Sequence, residues 1–167
     1  MITDPLRIVA VLERHRVRYV AVGMFAAVVQ GAIHDTDDID ITPEASLENL
    51  RRLADALGEL HARFRIEEYP DGFAPPGGID ERTFTAMTSV AFVTNAGNLD
   101  VVMLPDGTRG YPDLIRAAHH EQLADDMTIC VASVEDIIRS KQAADRIKDR
   151  AVLPALRQLA ERLHRDN

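Results

Sequence analysis

A chain of 167 residues with 46% hydrophobic and 28% charged residues has the composition of a packed globular protein, which excludes global disorder, and its length suits one core rather than two ordinary domains. Its formal net charge of −8 excludes long-range attraction of the whole molecule to nucleic acid or anionic membrane. The lone Cys130 excludes an intramolecular disulfide, and no run approaches the roughly 18 apolar residues of a membrane span.

The opening Met-Ile-Thr-Asp-Pro lacks a basic leader followed by an apolar block, so a cytoplasmic protein is expected. Thr3 or Asp4 caps a first helix with Pro5 in its first turn and an apolar stripe of Leu6, Val9 and Leu12, ending near His15. Tyr19 to Val22 reads as a short strand ended by Gly23, and Met24 to Gln30 as a buried helix stopped by Gly31. Ala32 to Thr36 is a polar loop. From Asp38 the acids alternate with Ile39 and Ile41, so Asp38 and Asp40 share one face of a strand that Pro43 closes.

Ser46 to Leu60 is the plainest helix, with Leu47, Leu50, Leu53, Ala54 and Leu57 in one stripe. Phe64 to Glu67 reads as a short strand, and Pro70 to Gly78, with three prolines and three glycines, as a long irregular segment that either covers a site or decorates the surface. Thr88 to Thr94 and Leu99 to Leu104 form a hairpin around Asn95 to Asn98, with Asp100 standing out from an apolar strand. Tyr111 to Ala118 reads as a helix. His120 to Ala124 and Met127 to Ala132, which holds Cys130 as a small buried hydrophobe, make a strand pair around Asp125-Asp126. Ser133 with Asp136 begins a helix reaching about Arg146, and Pro154 is expected in the first turn of a final helix.

Charge is uneven along the chain. Residues 139–165 hold eight Lys or Arg against three acids, a surplus of +5; with Asp166 this leaves −12 on residues 1–138. A basic helical tail (133–167) therefore follows an acidic core (19–132), the whole expected to be a single domain.

An acid-x-acid pair is common by chance in so acidic a chain. Context gives this one weight: Asp38 and Asp40 lie on a strand that follows a strand-Gly-helix element, and Asp100 lies on another strand able to run alongside. Three carboxylates on neighbouring strands suit hard divalent cations such as Mg²⁺ or Mn²⁺, which take oxygen ligands and offset the mutual repulsion of the acids. Metals held this way neutralise a triphosphate and activate a hydroxyl. Gly23 allows close backbone approach to a phosphate, while Lys141, Arg146 and Lys148 from the tail can cover the β- and γ-phosphates. His119-His120-Glu121 is a poor metal site, because adjacent side chains on a strand point to opposite faces. The chain lacks a Gly-x-x-x-x-Gly-Lys-Ser/Thr segment, which argues against a P-loop enzyme.

These residues resemble the minimal nucleotidyltransferases of the polymerase-β-like superfamily. The matching segments are Val22-Gly23-Met24, then His34-Asp35-Thr36-Asp37-Asp38-Ile39-Asp40-Ile41, then Leu99-Asp100-Val101-Val102; Val134 to Lys141 and Arg146 to Arg150 look like the tail of the AbiEii/MenT-type toxin branch. The resemblance implies an α/β (α+β) fold with a nucleotidyltransferase-like mixed β-sheet flanked by helices and extended by C-terminal helices. It implies Asp38 and Asp40 as metal ligands, Asp100 as a third ligand or the base toward the acceptor, Lys141 as a triphosphate contact and Asp149 as a carboxylate that lines the site and orients Lys148 or Arg146. Gly23, Met24, Thr36, Arg146 and Lys148 would meet the nucleotide. The chain departs from the pattern at Met24, where a small residue is usual and a bulky one would crowd a phosphate, and at His34-Asp35, where an Arg usually precedes the Thr.

The implied reaction is metal-dependent transfer of a nucleoside monophosphate from an NTP to a hydroxyl. The resemblance points to the 3′ end of tRNA as acceptor, for a toxin with a cognate antitoxin partner. The alternatives are a small-molecule enzyme acting on an aminoglycoside-like acceptor, which the acidic core would suit, and a catalytically degenerate nucleotide- or partner-binding module.

Overall fold

The computed structural model describes residues 3–166. Its organising element is an eight-stranded mixed sheet in the order β4-β3-β5-β6-β2-β1-β8-β7. The strands are β1 (Tyr19–Val22), β2 (Asp38–Pro43), β3 (Arg63–Ile66), β4 (Tyr69–Phe73), β5 (Ser89–Thr94), β6 (Gly97–Val102), β7 (His119–Ala124) and β8 (Met127–Val131). The helices are α1 (Pro5–Arg14), α2 (Gly23–Val29), α3 (Leu47–Glu59), α4 (Glu81–Ala86), α5 (Tyr111–Leu114), α6 (Val134–Ala144) and α7 (Ile147–Asp166).

Parallel pairing of β2 with β6 and of β1 with β8 joins antiparallel neighbours into one mixed sheet. Alternation along the central strands divides the residues between two environments. Ile39 and Ile41 of β2, Leu99 and Val101 of β6 and Val90 and Phe92 of β5 are buried in one core with Ile8 and Leu12 of α1 and Leu50, Leu53 and Leu57 of α3. Asp38, Asp40, Asn98 and Asp100 alternate with them and are only half-buried. Period-two alternation thus fills the core and presents a polar row with the same strands.

Helix starts follow local capping chemistry. Asp4, Ser46 and Ser133 each accept a hydrogen bond from a backbone N–H in the first turn of α1, α3 and α6, and each such cap is worth about 1 kcal/mol. Asn49 is wholly buried, and it ties α3 to the chain before β1 by accepting from Arg18 N at 2.7 Å and donating to the Arg18 carbonyl at 2.8 Å.

Three expectations are corrected, and one element is new. The first half of the Pro70 to Gly78 segment is strand β4, paired antiparallel with β3; Pro70 fits because β4 is the edge of the sheet, where a missing N–H breaks no ladder. No residue of that segment lines the main cleft. The helix expected over Tyr111 to Ala118 is only the four-residue α5. The last helix begins at Ile147, so Pro154 lies inside it rather than in its first turn. The early start has a cause: the buried Asp149 carboxylate accepts from the Arg146 backbone N–H at 3.3 Å, closing the first turn seven residues before the proline. Helix α4, capped by Asp80 and holding buried Phe84, is an element the sequence pattern did not signal.

Candidate active site

The register of the sheet brings the predicted carboxylates together. Asp40 sits opposite Asp100 across the parallel β2–β6 pair, and Asp38 opposite Asn98. On the other side Asp40 pairs in register with Val22, the last residue of β1. The strand-Gly-helix element is therefore set directly against the second aspartate.

That juxtaposition explains Gly23 in a way the sequence did not. Its φ is +66°, and a Cβ at this position would collide with the Asp40 carboxylate. The glycine is required by the side chain of the next strand as well as by its left-handed backbone. Met24 does not stand free at the turn: it is 9% exposed and belongs to the core cluster, touching the cleft only as part of its wall. Thr36 shapes the approach to β2, its Oγ1 donating to the Asp38 carbonyl at 3.1 Å.

The acids crowd one another. Burial, followed by the charge of Asp100, pushes the Asp40 carboxyl up to about 7, while Lys141 and Lys148 pull against the rise. Burial likewise pushes Asp100 up to about 6, opposed first by Arg65. Two neighbouring carboxyls are thus held near neutrality, chiefly by burial.

Opposing positive charge comes from a residue the sequence reading missed. Arg65 of β3 bridges two of the acids: Nη1 donates to Asp38 Oδ1 at 3.0 Å, and Nη2 to Asp100 Oδ1 and Oδ2 at 2.8 and 2.9 Å. Asn98, also missed, donates from Nδ2 to Asp38 Oδ1 at 3.1 Å. Asn98 was legible in principle, since it precedes Asp100 by two residues on the same strand face. Arg65 was not, because its partners lie on strands two and three places away in the sheet.

From the tail, Lys141 Nζ donates to Asp149 Oδ1 at 3.1 Å and Arg146 Nε to Asp149 Oδ2 at 2.6 Å. Asp149 is fully buried; burial alone would raise its carboxyl, but the hydrogen bonds from Arg146 and Lys141 outweigh it and hold it below its ordinary range. Asp149 thus orients two cations rather than facing the centre as a free acid. Lys141, Arg146 and Lys148 line the same cleft of about 850 Å³ as Gly23, Met24, Thr36, Asp38, Asp40 and Asp100, and His34 and Asp35 form part of its wall.

Among the described residues, no three His, Cys, Asp or Glu side chains are arranged as a ready metal site. At the aspartates the Arg65 guanidinium engages the oxygens of Asp38 and Asp100. The donor set nevertheless fits a hard divalent ion. It is all carboxylate oxygen, and it comes from adjacent strands in register. Asp38, Asp40 and Asp100 are the residues that would hold such an ion. Away from the aspartates, His119 Nε2 meets Glu121 Oε1 at 3.0 Å on an exposed edge strand.

No family model matches the sequence, and no curated protein matches it. Solved structures do. The lincosamide antibiotic adenylyltransferase LnuA, in its lincomycin-bound crystal structure, aligns with a TM-score of 0.62 and 13% identity over 95% of this chain and 99% of its own. TM1012 from Thermotoga maritima, assigned as a nucleotidyltransferase, aligns with a TM-score of 0.54 and 18% identity over 93% of this chain and 90% of its own. The chain has the nucleotidyltransferase-like fold. Among the described residues, no helix is long and apolar enough to cross a membrane.

Proposed function

We propose that this protein transfers a nucleoside monophosphate from an NTP to a hydroxyl of a small, cationic acceptor. The observation that carries the proposal is the in-register pairing of Asp40 with Asp100 in a cleft that Lys141, Arg146 and Lys148 also line. A divalent ion held by Asp38, Asp40 and Asp100 would supply charge neutralisation at the triphosphate and acidify the acceptor hydroxyl.

The chain's own groups do the rest. Lys141, Arg146 and Lys148 bind the β- and γ-phosphates, the first two steadied by Asp149. The acceptor oxygen attacks the α-phosphorus as the bond to pyrophosphate breaks, and pyrophosphate leaves toward those bases. The hydroxyl proton passes to the Asp100 carboxylate oxygen that the ion would leave free.

The class of acceptor follows from charge. Seven aspartates line the cleft against the three bases, so the wall stays acidic even with divalent ions balancing the triphosphate, and an aminated acceptor complements it. The similarity in fold to an adenylyltransferase with bound lincomycin supports an acceptor of this size. A second reading, transfer to the 3′ end of tRNA by an AbiEii/MenT-type toxin with an antitoxin partner, rests on the basic tail. Of the five tail bases outside that phosphate-binding set, three are engaged internally: Arg139 with Asp113, Arg150 with Asp145, and Arg162 with the Gly31 carbonyl. That leaves the tail a weak electrostatic surface for RNA, which ranks this reading second.

The test is incubation with Mg²⁺ and each labelled NTP, offering hydroxylated amines of the aminoglycoside and lincosamide kinds, neutral polyols, and total tRNA. Label on an aminated small molecule is the expected result. Label on tRNA alone would overturn the acceptor class, and no label on any acceptor would overturn the activity.

A further inference from the structure

Arg65 stands at one end of a row that crosses the sheet. The β3–β5 register pairs Arg63 with Val93 and Phe64 with Phe92 and ends there; continued by one residue it points from Arg65 to Ala91, which pairs with Asp100, and Asp100 with Asp40. Two strand spacings, about 10 Å, separate the Arg65 and Asp100 backbones, a gap that only a long side chain lying across β5 can close. On that continuation Ala91 is the residue nearest its path, and its side chain is only a methyl group. Among the described residues, the ion-pair partners of Arg65 are Asp38 and Asp100 alone, and its guanidinium meets both carboxyl oxygens of Asp100.

We propose that Arg65 is a displaceable internal cation that makes divalent-ion binding and nucleotide binding depend on each other. The proposal rests on the metal-dependent reading of the aspartate site. A divalent ion coordinated by Asp38 and Asp100 needs the same oxygen lone pairs that Arg65 engages, so the side chain must withdraw as the ion enters. Withdrawn alone, it would be a cation beside a second cation, with its carboxylate partners taken. Withdrawn in the presence of a triphosphate, it meets phosphate oxygens, which a planar guanidinium binds as readily as carboxylates. Ion and nucleotide therefore enter favourably as a pair, and the ion by itself enters poorly. Arg65 acts here as a positioning residue for the acids and a contact for the incoming nucleotide.

The measurement is Mn²⁺ binding by electron paramagnetic resonance, without nucleotide and then with a non-hydrolysable NTP, alongside thermal melting of the metal-free proteins. Arg65→Gln should bind Mn²⁺ alone about tenfold tighter than the wild type. It should also gain less Mn²⁺ affinity from the nucleotide, and melt lower than wild type until Mn²⁺ is added. Ala91→Leu keeps the arginine but blocks its path, and should likewise tighten binding of Mn²⁺ alone; it decides the matter if Arg65→Gln does not fold. Equal or weaker Mn²⁺ affinity in the variants would overturn the proposal and leave the aspartate site standing. Absence of Mn²⁺ binding in every folded variant, with and without nucleotide, would overturn the metal site and the proposal together.

Discussion

Asp40 and Asp100 face each other in register across the parallel pair β2–β6, both on the polar row of the sheet and both with carboxyls raised toward neutrality. Two like charges at adjacent strand positions repel, so the arrangement works against the stability of the metal-free protein and favours a bound cation.

This conflict makes Asp40→Asn a double prediction. Transfer activity should fall on the order of 10³-fold, as for removal of a principal electrostatic group. The metal-free protein should become more stable at neutral pH, read as a higher Tm. The sign follows from linkage: between 3.8 and about 7 the folded protein keeps a proton on Asp40 that the unfolded chain has released, so stability declines as pH rises through that window. Asp40→Asn removes that decline, which melting curves at pH 5 and pH 8 would show.

Asp149 has the opposite sign. Its carboxyl is held below its ordinary 3.8, so its contribution is present above that value and is lost as pH falls through the lower folded value. Asp149→Ala leaves Lys141 and Arg146 without the buried carboxylate between them and should destabilise by about 3–5 kcal/mol. Because the same change frees two phosphate-facing cations, KM for the NTP should rise more than kcat falls. Urea unfolding and steady-state kinetics test the two halves separately.

Gly23→Ala should be disproportionately damaging for the addition of one methyl group. The new Cβ meets the Asp40 carboxylate at a positive φ, so either the aspartate or the turn must move. A loss of about 1–3 kcal/mol is expected, with transfer activity reduced because Asp40 is displaced. A structure of the variant would show the Asp40 carboxylate shifted.

Met24→Ala tests whether Met24 is wall or obstacle. As a core residue its truncation should cost about 2–4 kcal/mol in urea unfolding, with KM for the NTP little changed. A variant of unchanged stability with a much lower KM would mean that the methionine crowds the nucleotide.

Much of this architecture was legible because it is local. Alternation placed Asp38 and Asp40 on one strand face and Ile39 and Ile41 in the core, and caps placed the starts of α1, α3 and α6. The same local logic failed at Pro70, which belongs to an edge strand, and at Pro154, which sits inside α7. In each case a tertiary feature overrode a local preference: an unpaired sheet edge in the first, a buried Asp149 anchor in the second.

By itself the sequence determined which residues carry charge, which alternate with core residues, and that three aspartates and a basic tail are available for phosphate chemistry. Only the tertiary structure decided that Asp40 and Asp100 stand side by side, that Gly23 is glycine because Asp40 fills its Cβ position, and that Arg65 lies between Asp38 and Asp100. The physical reason is range. Periodicity and capping act over a few residues, whereas β2 meets β6 and β3 reaches them across β5 only once non-local strand pairing has set the register of the sheet.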